Sequence, residues 1–102
     1  MSQLKALTKN QIKFLRAEAH SLKPVVMIGN NGVTEAVMEE LDRALAHHEL
    51  VKVKIRAEDR EDKAEIIEYL CSHSNAHKIH TIGHNLVLYR KAKEPKLVLP
   101  KK

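Results

Sequence analysis

With a single cysteine, Cys71, the chain can close no internal disulfide and offers no cysteine spacing for a metal, so a reducing cytoplasm is the expected setting. No apolar run approaches the length of a membrane span. The N-terminus, where Lys5 and Lys9 interrupt short apolar stretches, lacks the hydrophobic region of a secretory leader. No nucleophile elbow, zinc-protease signature or kinase set occurs, and the acids expected on outer helix faces form no metal-binding carboxylate cluster. Seven histidines remain to be tested. His73 falls at a helix end while His77, His80 and His84 span a strand and turn, so the four do not converge on a metal. The expectation is a protein that is not an enzyme, with no metal, no cofactor, no small-molecule substrate and no membrane partner.

Glycine is scarce as well, yet two of the three glycines stand three residues apart in Lys23-Pro-Val-Val-Met-Ile-Gly-Asn-Asn-Gly-Val-Thr34. The run Val25 to Ile28 reads as a strand buried on both faces. It breaks at Gly29-Asn30-Asn31-Gly32, and Thr34 then caps a helix. Glycine lets backbone amides approach a ligand closely, and the free amides at a helix start favour an anion in front of Thr34. Such a loop is also an ordinary tight turn. It lacks the Lys and Ser/Thr ending of a P-loop and the three-glycine dinucleotide spacing; loops of this kind clamp nucleic-acid backbone in KH-like modules.

A chain of 102 residues supplies one domain. Its charge of +5 is segregated: residues 1–34 hold five Lys/Arg against one Glu, residues 35–68 six against eleven acids, and residues 69–102 seven against one. Basic ends around an acidic middle suit a polyanionic partner, although a basic surface also serves solubility alone.

Thr8 caps a helix expected to run to about Leu22, with Ile12, Leu15, Ala19 and Leu22 toward the core. Lys9, Lys13, Arg16 and His20 form one narrow stripe about a quarter-turn or more away from that core face. Like charges so spaced repel, which invites a functional explanation. Phe14 falls off the core stripe and either packs under the tail or stacks on a base. A second helix, about Glu35 to His48, turns Val37, Leu41, Ala44, Leu45 and His48 inward and Glu35, Glu39 and Asp42 outward. Leu50 to Arg56 alternates, placing Lys52, Lys54 and Arg56 on one side, where they either guard an exposed strand or touch nucleic acid. Asp59 caps a third helix with Ile66, Ile67, Leu70 and Cys71 on its apolar face. His77 to Ile82 and Leu86 to Lys91 are strands joined at Gly83-His84-Asn85.

The fold expected is therefore α/β, a single compact domain of order αβαβαββ. Its mixed four-stranded sheet has parallel strands across the helices, one antiparallel hairpin pair, and helices on both faces. Residues 1–91 make the domain. Residues 92–102, with Lys93, Pro95, Lys96, Pro100, Lys101 and Lys102, make a basic tail that is extended or mobile.

His20 to Thr34, with Leu22-Lys-Pro-Val-Val26 before the loop and Gly32-Val-Thr34 after it, resembles the CRM domain (chloroplast RNA splicing and ribosome maturation). The segment His47-His-Glu-Leu-Val-Lys-Val-Lys-Ile55 and the ending Leu86-Val-Leu-Tyr-Arg90 extend the resemblance over nearly the whole chain. At this length the chain is similar to the single-domain bacterial members of the YhbY type. The resemblance implies a fold like the C-terminal domain of translation initiation factor three. It also implies binding to ribosomal RNA in large-subunit precursors and a non-catalytic role in ribosome assembly. On that reading RNA meets Gly29, Asn30, Asn31, Gly32 and Thr34 together with Lys9, Lys13, Arg16, His20 and Lys23, with Lys52, Lys54 and Arg56 as further contacts. One departure stands out. CRM loops often carry Lys or Arg between the glycines, so here charge must come from neighbours such as Lys13, Arg16 and Lys23. The competing reading is an adaptor whose basic face binds an acidic protein.

Overall fold

Thr8 and Gln11 close the first helix reciprocally: the Gln11 amide donates to Thr8 Oγ1 at 3.1 Å and the Thr8 amide to Gln11 Oε1 at 2.9 Å. The computed structural model describes residues 7–29, 32–57, 59–92, 97 and 99–100. Its elements are α1 (Lys9–Ala19), β1 (Val26–Ile28), α2 (Glu35–His48), β2 (Leu50–Ile55), α3 (Arg60–Ser74), β3 (His77–Ile82) and β4 (Asn85–Tyr89). The expected order of elements holds.

α1 stops three residues before Leu22. Its last amides tighten to i→i−3 bonds, His20 to Ala17 and Leu22 to Ala19, and Lys23 precedes a proline that disfavours helical backbone. Leu22 consequently emerges 36% exposed instead of joining the core. At the other end of α2, His48 is likewise exposed, against expectation, because the core stripe passes through Leu41 and Leu45 and the helix ends there.

The strands lie in the order β1-β2-β4-β3. β1 and β2 are parallel, with Val26 opposite Val53 and Ile28 opposite Ile55. β4 enters between β2 and β3 and runs antiparallel to both, so the sheet has two antiparallel pairs where the hairpin alone led us to expect one. This central strand buries both faces. Leu86 and Leu88 join Val26, Ile28, Val51, Val53 and Ile55 under α2 and α3, while Val87 and Tyr89 join Leu50, Ile79, Leu15 and Ala19 under α1. β1, by contrast, is an edge strand. Val26 and Ile28 are buried, but Met27 is 58% exposed, which corrects the reading of a strand covered on both sides: its second face lies outside the α1 cluster.

α2 passes into β2 through one residue, Glu49, whose φ of 63° is a conformation that L side chains adopt at a cost of about 1–2 kcal/mol. The cost is offset by what Glu49 holds. Its amide donates to Leu45 O and its carbonyl accepts from Arg90 N, both at 2.9 Å. Its carboxylate, on a residue 1% exposed, accepts the Leu97 amide at 3.1 Å and the Ala92 amide at 3.4 Å. Glu49 is thus a buried acid, contrary to the placement of all acids on outer faces.

The described part of the tail is docked, not free. Leu97 and Leu99 pack with Phe14, Ile12 and Leu7, and Gln11 Nε2 donates to Pro100 O at 2.8 Å. Phe14 therefore packs under the tail; Lys93, Pro95, Lys96, Lys101 and Lys102 lie outside the described residues. Arg90 closes the opposite layer: Nη1 donates to Asp42 Oδ1 at 2.7 Å and Ser74 O at 3.0 Å, and Nη2 to Asp42 O at 3.0 Å.

Replacing Glu49 by Gln turns one acceptor into a donor facing backbone N–H groups. The expected loss is about 1–3 kcal/mol in denaturant unfolding, with faster hydrogen exchange at Leu97. A second prediction concerns acid. Burial lowers the pKa of His77, whose ring lies against Tyr89, below its ordinary 6.5. The unfolded chain then takes up that proton first, so His77's contribution is complete above 6.5 and declines as pH falls below it. The drop in unfolding midpoint from about pH 7 to about pH 5.5 should be smaller in His77→Gln.

Candidate nucleic-acid interface

Residues paired across a sheet share a face, and the register of this sheet assembles two rows on the α1 side. The outer row is Met27, Lys54, Asn85 and Ile82, one from each strand. The inner row is Lys52, Val87 and His80, continued by Val25, whose amide donates to Lys52 O at 3.0 Å. A bulge between Lys78 and His80 lets Ile79 enter the α1 cluster while His80 turns toward the open part of the face. α1 covers the end of the sheet marked by Leu50 and Tyr89. Beyond it the outer row stays open, with Met27 58% and Ile82 56% exposed.

Where α1 ends against this face, Arg16, Ala19 and His20 enclose with Lys52, His80, Ile82, Asn85 and Val87 a hollow of about 190 Å³. Three cationic or protonatable groups, Arg16, His20 and Lys52, stand around it. His80 is the fourth ring or charge, its pKa lowered by desolvation and then by the nearby Arg16 guanidinium. Lys9 and Lys13 continue the stripe outward along α1, both exposed, with Lys9 about 16 Å of helix from His20. The acids of α2 and α3 belong to helices packed on the other sheet face, so the molecule is electrostatically two-sided.

Lys23 lines a neighbouring hollow of about 290 Å³ at the start of β1 with Glu18, Leu22, Val25, His48 and Leu50, and Lys52 lines both hollows. Six extended residues, up to roughly 20 Å, separate Lys23 from Gly29. The glycine loop stands at the opposite end of β1. Gly29 and Gly32 line a third depression, of about 280 Å³, with Arg56, Ala57, Asp62, Glu65 and Ile66. Arg56 follows the last residue of β2, and its amide donates to Ile28 O at 2.9 Å. Gly32 N donates to Gly29 O at 3.0 Å, no heavy atom lies within 4 Å of a Cβ built at either glycine, and Asn30 and Asn31 lie outside the described residues. Thr34 caps α2, accepting the Val37 amide at 3.2 Å.

The structure thus groups Arg16, His20 and Lys52, with Lys9 and Lys13 along the same helix and Lys54 in the adjoining row. It sets Gly29, Gly32 and Arg56 at one end of the sheet, beside two acids, and Lys23 at the other end of β1. Sequence reasoning missed Met27, His80, Ile82 and Asn85. The alternation in Lys52 and Lys54 was a signal for one face, but the partners of those lysines depend on strand order.

A model of the CRS1/YhbY (CRM) domain matches residues 7–90. The chain belongs to the CRM family. Among CRM relatives, an RNA-binding protein of Haemophilus influenzae is 50% identical over 96 residues, 94% of this chain and 97% of that one. A probable RNA-binding protein of Bacillus subtilis is 37% identical over 92 residues, 90% and 96% of the two chains. The solution structure of a Staphylococcus aureus protein matches this CRM domain with a TM-score of 0.80 at 33% identity, over 93% of this chain and 100% of that chain.

The two glycines should tolerate a methyl group differently. Gly32 has φ of +71°, so Gly32→Ala is expected to cost about 1–2 kcal/mol. Gly29 is free of that conformation and of close neighbours, so Gly29→Ala should leave the unfolding midpoint nearly unchanged.

Proposed function

We propose that this CRM domain is a non-catalytic RNA-binding protein that engages ribosomal RNA in large-subunit precursors. The observation that carries the reading is the basic face: Lys9, Lys13 and Arg16 along α1, leading to His20, Lys52 and Lys54 beside an uncovered row of the sheet. Polyanion binding gains from releasing condensed counterions, and a one-sided array of lysine and arginine does this without sequence preference. The sheet row supplies what charge alone lacks, apolar and amide groups able to meet bases. The relatives named as RNA-binding proteins support RNA as the partner class. The loop from Gly29 to Gly32 is a secondary contact on this reading. Backbone amides there could meet a phosphate, and Arg56 adds charge, but Asp62 and Glu65 oppose it.

Charge reversal tests the face. Lys9→Glu, Lys13→Glu and Arg16→Glu together should weaken binding to structured ribosomal RNA by at least about tenfold and flatten the log–log salt dependence by about 2–3 units. A correctly folded triple variant with unchanged affinity and slope would remove α1 from the interface. In lysate pull-downs, nuclease should release co-purifying ribosomal proteins. Their retention after digestion would favour the acidic-protein reading.

A further inference from the structure

Residues beyond the matched CRM segment, 7–90, return to the start of α1. The described tail residues are fastened at two places. At the α2–β2 joint, Glu49 accepts the Leu97 amide at 3.1 Å and the Ala92 amide at 3.4 Å. At the start of α1, Gln11 Nε2 donates to Pro100 O at 2.8 Å, while Oε1 of the same side chain accepts the Thr8 amide at 2.9 Å. One carboxamide therefore closes the helix cap and holds the tail. Leu97 and Leu99 pack in the cluster that takes in Leu7, Ile12 and Phe14. The residues α1 buries, Leu15 and Ala19, both belong to its second half. A helix of 11 residues is too short to persist in water on its own hydrogen bonds, so its first turns depend on what they pack against.

Resting on the RNA-binding reading above, we infer that Leu97 and Leu99, anchored by Glu49, are positioning residues for RNA: they strap the start of α1 down and so align Lys9 and Lys13 with Arg16, His20 and Lys52. Lys9 and Lys13 are exposed and stand in those first turns, on either side of Gln11 and Ile12. A row of cations serves a polyanion best when its members are already in line. A frayed first turn has to be ordered on binding, and that ordering costs affinity. The strap acts through packing and backbone hydrogen bonds, not through its own charge. The tail also carries Lys93, Lys96, Lys101 and Lys102, which would suffice for a cationic arm that meets RNA directly. Such an arm needs no fastening, and a glutamate 1% exposed and two leucines in an apolar cluster offer nothing to a phosphate.

The test releases the strap and keeps every lysine. In the double variant Leu97→Ser with Leu99→Ser, hydrogen exchange of the free protein should quicken at the α1 amides from Ile12 to Arg16, while α2 and α3 keep their protection. Affinity for a structured ribosomal RNA should fall about fivefold, and the log–log salt dependence should flatten by about 1–2 units as Lys9 and Lys13 drop out. In a Lys9→Gln, Lys13→Gln background, releasing the strap should cost little more, a non-additivity that loss of stability alone does not produce. Ile67→Ala, packed in the opposite layer, is the control: its unfolding midpoint should drop with RNA affinity kept. Unchanged α1 exchange would overturn the strap. Faster exchange with unchanged or tighter RNA binding would overturn its positioning role and make the tail a cationic arm or a cover. Both outcomes leave RNA binding itself intact, whereas a wild-type protein that binds no RNA would sink the parent reading as well. If the double variant does not fold, Leu99→Ala alone carries the same comparison.

Discussion

β4 must lose water from both faces at once, and the rest of the molecule is arranged to meet that demand. Leu86 and Leu88 require a layer on one side, supplied by α2 and α3; Val87 and Tyr89 require one on the other, supplied by α1 and the tail. Burial of apolar area is the dominant favourable contribution, and a strand placed centrally collects it twice. One helix cannot cover what two helices cover. α1 has 11 residues, about 16 Å of length, and protects the end of the sheet near Leu50 and Tyr89. The uncovered remainder is therefore a consequence of unequal layers, and it lies where the cations of α1 finish.

Charge follows the same division. The acids of α2 and α3 stand on the layer facing away from α1, so a polyanion approaching the lysine side meets little opposing field. The exception is the glycine loop. It lies within reach of α3, and Asp62 and Glu65 share its depression with Arg56. Space at Gly29 and Gly32 and suitability for an anion are thus separate matters: each glycine has room for a Cβ, while the charges lining their depression are mixed.

Local signals were legible in the sequence wherever physics acts over a few residues. Thr8, Thr34 and Asp59 cap as read, because an N-cap needs only a side-chain oxygen and an amide three residues on. Alternation separated Val51, Val53 and Ile55 from Lys52 and Lys54 for the same reason. What escaped depends on strand order. Met27 looked interior because its neighbours are apolar, yet an edge position leaves it open. Lys23 looked adjacent to the glycines in sequence, but an extended strand carries it to the opposite end. Asn85 looked like a turn residue, and only its pairing with Lys54 and Ile82 reveals a place in the row across the α1 side of the sheet. Glu49 looked like one more surface acid; its burial follows from a tail that returns over 40 residues later to meet it.

That same glutamate is the entire joint between α2 and β2. Because side chains alternate along a strand, the joint's length fixes which half of β2 meets oil and which meets water. One extra residue there would rotate the strand by half a pleat, pressing Lys52 and Lys54 into the α2 layer and handing Val51, Val53 and Ile55 to the solvent. The polarity of the whole platform is accordingly set by a count of one, and this segment of the chain has no freedom to lengthen.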